Sequence, residues 1–138
     1  MSEATMQSAG ILLVILPTVA FGGASILYLW LTKGSSYYLD NPLRQRLWAA
    51  GHAHAGVLLI LSLVALLYLD RANLGQGVRA FVSTSIPLSA ILIPAAYFLS
   101  VAHPQAQRPN ALINLAYLGF LSLTGGLLVL GFGLLSGL

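Results

Sequence analysis

The chain has 138 residues, of which 58% are hydrophobic and only 7% charged, whereas about a quarter of an ordinary soluble domain is charged. Six basic and three acidic residues leave a net charge of +3; the charges sit at segment ends, a pattern that reports membrane topology and not nucleic-acid binding. The absence of cysteine excludes disulfides, thiolate zinc sites, iron–sulfur clusters and cysteine catalysis.

Four apolar runs follow one another, each near the roughly 20 residues that one membrane crossing needs. The expected fold is all-α: a single four-transmembrane-helix bundle with up-down topology and helices near 8–32, 42–69, 80–103 and 110–137. Glu3 and the lack of basic residues before Gly10 mark the first run as a retained helix and not a cleaved signal peptide.

In the first helix, Pro17 is expected to cause a kink, because it removes a backbone donor and crowds the preceding turn. Gly22, Gly23 and Ala24 form a close-packing patch, and Tyr28 and Trp30 read as an interfacial belt. Residues 33–41 read as a polar connection. Asn41-Pro42 has the form of an N-cap followed by proline at the first helical position. A second helix over 42–69 is about 42 Å long at 1.5 Å per residue, so Arg44, Arg46 and Trp48 are expected among the headgroups.

Asp70 to Arg79 reads as a short turn. The third helix carries Pro87 and Pro94 on one face, and Ser83, Ser85 and Ser89 are expected to satisfy or supplement the carbonyls that the prolines free. His103-Pro104 ends that helix, and Asn110 caps the fourth. Gly119, Gly125, Gly126, Gly131, Gly133 and Gly137 read as packing glycines. Their spread around the helix predicts contacts on more than one side, as in a homo-oligomer or a subunit of a membrane complex. Lys33, Arg44, Arg46 and Arg108 share one membrane side, and Arg71 and Arg79 the other. Four against two places loops 33–46 and 103–109 in the cytoplasm and both termini outside, in a bacterial inner membrane.

The second helix contains Gly51-His52-Ala53-His54-Ala55-Gly56. Imidazole in hydrocarbon is costly and is rarely left without a partner or a task. Residues i and i+2 lie roughly 200° apart around a helix, so His52 and His54 face opposite sides and cannot ligate one metal together. The flanking small residues keep both faces thin, open to a partner helix or a flat ligand. Up-down threading brings Tyr28, Trp30, Tyr97, His103, Asn114 and Tyr117 toward the same membrane face. The candidate metal ligands are His52, His54 and His103, because neutral imidazole is the commonest metal ligand. Tyr97, Asn114 and Tyr117 are candidate cofactor-binding neighbours able to orient the rings.

Ala50-Gly-His52-Ala-His54-Ala-Gly-Val-Leu58 resembles the His-x-His helix of the haem–copper oxidase and nitric oxide reductase superfamily. There the two histidines project from opposite sides of one helix and ligate the two haems. The resemblance implies haem as the cofactor; a chlorophyll-type pigment or another metal ion are the alternatives. It does not extend to that family's helix number or to the histidine pair of its catalytic metal, so no reductase site is carried over. The chain is also similar to uncharacterised four-helix bacterial integral membrane proteins.

Bis-histidine ligation takes two facing imidazoles: His52 or His54 with His103 in one chain, or His54 with its mate in a second copy. A five-coordinate macrocycle takes one. Glu3, Asp40 and Asp70 all lie at helix ends or in loops, and no phosphate loop or zincin motif is present, so an enzyme or transporter stands only as a third reading, in which a proton path would have to use the histidines and tyrosines alone. The leading expectation is a small membrane protein that binds haem or another metal cofactor for electron transfer or sensing. The alternative is a non-catalytic subunit or assembly partner of a larger membrane complex.

Overall fold

A computed structural model describes residues 1–32 and 36–137. Among these residues the chain is helical, with no strand. Four long helices form an up-down bundle: α1 (Glu3–Thr32), α3 (Pro42–Leu69), α4 (Gln76–Leu99) and α5 (Leu115–Leu135). A one-turn helix α2 (Ser36–Leu39) precedes α3, and a 3-10 turn (Ala111–Asn114) leads into α5. All four long helices are long and apolar enough to cross a membrane, and the chain is an integral membrane protein.

The helix ends follow local chemistry. α1 begins five residues before the expected Ser8, because Ser2 Oγ accepts the Thr5 N–H and supplies a cap. It passes through Pro17 as one helix. α3 has the expected bounds: Asn41 Oδ1 accepts the Arg44 N–H at 3.0 Å, and Pro42 opens the helix. The expected 80–103 helix is displaced to Gln76–Leu99. At its start Arg79 donates from Nε and Nη2 to the carbonyls of Leu74 and Ala72, which fixes the preceding turn. At its end the carbonyls of Val101 and His103 turn to Arg44 and away from a further helical turn. Asn110 caps as expected, through the Leu112 N–H, but the element it opens is the 3-10 turn.

α4 is the centre of the bundle, packed between α3 and α5, while α1 leans chiefly on α3. The core joins Leu58, Leu59, Leu66 and Leu69 of α3 to Val82, Ile86 and Ile93 of α4, with Leu12 and Leu130 at its sides. Lipid tails are as apolar as leucine, so helices in a membrane gain by close packing and not by escape from water. Glycine supplies that closeness. A Cβ at Gly119, Gly126 or Gly133 would come within 2.5–2.6 Å of Ile93, Ser85 or Leu74 respectively. The three recur every seven residues, and Gly119 and Gly126 meet α4 while Gly133 meets the α3–α4 turn. A Cβ at Gly131 would meet nothing within 4 Å, and those at Gly125 and Gly137 would lie at ordinary distances of 3.6 Å from Phe81 and 3.7 Å from Asn73. Within the chain the tight glycine contacts therefore form a single seam.

The serines of α4 supplement the backbone without reaching the carbonyls that the prolines free. Ser83, Ser85 and Ser89 donate to the carbonyls of Ala80, Val82 and Ile86, and Ser122 of α5 donates across to the Ser85 carbonyl at 2.8 Å.

Candidate functional site

His52 and His54 leave α3 on opposite sides, as the helical period requires. His52 lies on the glycine patch of α1: a Cβ at Gly23 would be 2.9 Å from His52 Nε2, and one at Gly22 would be 3.7 Å from Nδ1. The Gly22-Gly23 patch thus makes room for an imidazole. On the other side, a Cβ at Gly51 would meet Tyr97 and Phe98 of α4 at 3.1–3.3 Å. The thin positions are thus met by helices, α1 at His52 and α4 at Gly51, while the side of His54 that borders Ala53 and Val57 stays exposed.

His54 faces α4 and α5. Its Nδ1 lies 2.7 Å from the carbonyl of Ala50, one turn earlier. A carbonyl only accepts, so Nδ1 carries a proton, and in the uncharged tautomer the lone pair falls on Nε2. Tyr97 meets the ring edge-on with centroids 5.3 Å apart, and Phe120 does so at 6.4 Å. The residue is half-buried and borders the exposed positions Ala53 and Val57. Of the expected cluster, only the His54–Tyr97 pair forms.

The other candidates are dispersed. His103 is exposed, and its Nδ1 accepts the backbone N–H of Gln105 within its own turn. Asn114 is exposed at the end of the 3-10 turn. Tyr117 is 69% exposed on the outside of α5. The three imidazoles stand in separate surroundings: His52 is packed on α1, His54 is held by its own helix, and His103 lies in a surface turn. Among the described residues no three of His, Cys, Asp or Glu are grouped to hold a metal ion.

Arg44, expected at the depth of the headgroups, is fully buried within the protein. Its Nε donates to the Val101 carbonyl at 3.1 Å, and Nη2 to those of His103 and Pro104 at 2.6 and 3.3 Å. Nη1 donates to the Tyr37 carbonyl, and the guanidinium lies 3.7 Å from the Tyr37 ring centroid. The carbonyls of Val101, His103 and Pro104 lie just beyond the C-terminus of α4, where the helix dipole favours a cation. Only arginine offers a rigid fork with five donors. Trp30, Tyr37, Tyr38, Trp48 and Phe98 pack edge-to-face or tilted around this end. Tyr38, in the unforeseen helix α2, is 1% exposed. Lys33, expected to help set topology, lies outside the described residues.

At the opposite membrane face stands a polar group that the sequence reading treated only as a turn. Asp70 caps the end of α3 and accepts from Ser2 N at 2.5 Å and Thr5 Oγ1 at 3.1 Å, with Arg79 Nη1 at 3.5 Å. The Ser2 backbone N–H, aided by the Ser2 and Thr5 hydroxyls, holds the Asp70 carboxyl below its usual range against the opposing cost of desolvation. The residues are 68 positions apart, so no local motif announces them. No family model, curated protein or solved structure matches this chain.

Proposed function

We propose that this chain is a small integral membrane protein that carries haem, or a related metal macrocycle, on His54, for electron transfer or sensing. The observation behind this reading is the His54 Nδ1–Ala50 carbonyl bond, which orients the ring and leaves Nε2 as the basic nitrogen. A second acceptor on the far nitrogen is the usual way a protein aims an imidazole at a metal. His52 does not fit as an axial ligand, because its Nε2 is against Gly23. His103 does not fit with His54 in one chain, because its ring is engaged in the 103–106 turn. The fitting arrangement is therefore one imidazole per chain: His54 would hold the group, with Tyr97 and Phe120 beside its ring, alone or together with His54 of a second copy. When bound, such a group supplies reversible one-electron chemistry or gas ligation. The chain supplies the oriented base, the aromatic wall and the exclusion of water. We place it in a bacterial inner membrane, with loops 33–46 and 103–109 in the cytoplasm.

The test is the absorption spectrum of protein purified from a haem-replete host. A Soret band is expected that His54→Ala abolishes and that His52→Ala and His103→Ala retain. A colourless protein with no metal by elemental analysis overturns the reading.

A second reading is a non-catalytic subunit of a larger membrane complex. It is favoured by α1, a 30-residue helix with only Thr5 and Leu12 buried and α3 as its main neighbour. Its free face includes Phe21, Val14 and Leu31, all exposed. Co-purification of a stoichiometric partner in mild detergent, lost when Phe21 and Leu31 are changed to alanine, is the outcome that would favour it.

A further inference from the structure

The polar group around Asp70 borders a cleft of about 410 Å³ between the first turns of α1, the end of α3 and the first turns of α4. Its walls carry Thr5, Ser8, Asp70, Gln76, Arg79 and Ser83. A second groove of about 270 Å³ runs on between α1 and α4, and Ser8 and Ser83 belong to both. Beyond those two serines the walls turn apolar: Leu12, Pro87, Leu88 and Ile91. From Arg79 to Ile91 the path follows α4 inward for about 18 Å at 1.5 Å per residue. Leu88 and Ile91 are 40% and 63% exposed, so the deep end opens toward lipid. A polar chamber at a helix terminus, continuous with an apolar slot deeper in the same crevice, has the layout of an amphiphile.

The chemistry of the chamber selects the head. Asp70 already accepts from Ser2 and Thr5 and faces Arg79. Arg79 is fixed by the carbonyls of Ala72 and Leu74 while its side chain stays 35% exposed. The guanidinium has five N–H donors, and the two carbonyl bonds and Asp70 leave donors unused. Those donors, with the Gln76 amide, ask for an anionic acceptor, and a phosphate fits a fixed guanidinium. We infer that this crevice holds one membrane phospholipid, with its phosphate against Arg79 and one acyl chain in the groove between α1 and α4. The inference does not depend on any cofactor at His54, which lies at the other membrane face.

Native mass spectrometry of the detergent-solubilised full chain, titrated with phosphatidylglycerol or phosphatidylethanolamine, tests it. One lipid is expected to stay bound at collision energies that strip the rest, with retention reduced about tenfold in Arg79→Gln and in Thr84→Trp. Thr84 is an exposed wall residue of the groove, so the tryptophan fills the slot without entering the core. If Arg79→Gln fails to fold, Thr84→Trp alone decides. Glycerol phosphate, which has the head chemistry without a chain, is expected to bind far more weakly. Equal retention in wild type and both variants means unselected surrounding lipid and overturns the inference. Glycerol phosphate bound as tightly as lipid overturns it as well, because the groove would then contribute nothing.

Discussion

Arg44 shows most clearly how a residue's place along the chain leaves its surroundings open. Its position near the start of α3 suggested a headgroup contact, yet it is buried beneath four carbonyls and an aromatic face. Removing it strands several buried acceptors, each costing about 1–3 kcal/mol. Arg44→Met is expected to destabilise the protein by roughly 3 kcal/mol or more, and Arg44→Lys to recover little, because an ammonium is a point charge without the fork. Unfolding in mixed SDS micelles measures both. Asp70 makes a pH prediction. Its carboxyl is held below the unfolded value of about 3.9, so its contribution is complete above that value and is lost as pH falls through the lower folded one. Acidification is expected to free the first turn of α1, and Asp70→Asn to free it at neutral pH. Hydrogen exchange at the amides of residues 2–6 reads this out.

Among the elements, the α4–α5 seam depends most openly on residue size. A methyl group at Gly126 would stand 2.5 Å from Ser85 Oγ and 2.6 Å from Ile86 Cγ1, so helix or side chain must shift. Overpacking of this kind costs about 1–3 kcal/mol. Gly126→Ala and Gly119→Ala are expected to lie in that range and Gly131→Ala within about 0.5 kcal/mol of wild type, again by SDS unfolding. The seven-residue spacing of Gly119, Gly126 and Gly133 was present in the sequence. It was obscured by Gly125, Gly131 and Gly137, which lie off the seam. α2 was missed because four residues after a polar stretch carry no usable period. α4 was displaced by about one turn because its ends are set by Arg79 and Arg44, acting across turns and between helices.

For the whole molecule, orientation is the expectation most directly open to experiment. The chain has no cysteine, so single cysteines introduced at Arg108 and Arg71 report one side each. With the basic majority inside, Arg71→Cys is expected to react with an impermeant maleimide in intact cells and Arg108→Cys only after lysis. The reverse pattern inverts the topology. The arrangement of helices, with α4 central and α1 at the margin, was not legible from four runs of similar length and apolarity. In a bilayer such runs differ little in their drive to bury, and which faces meet depends on where small residues allow close approach.

By itself the sequence determined the number of crossings, the cap and bounds of α3, and the opposed directions of His52 and His54. Those properties follow from hydrocarbon thickness, cap chemistry and the helical period, all of them local. Only the tertiary structure decided that His52 packs on Gly22-Gly23 while His54 meets Tyr97 and Phe120. It also decided that Arg44 is an internal clamp and that Asp70 gathers the N-terminal turn. The last two depend on which distant backbone group arrives within about 3 Å, and that follows from how whole helices pack.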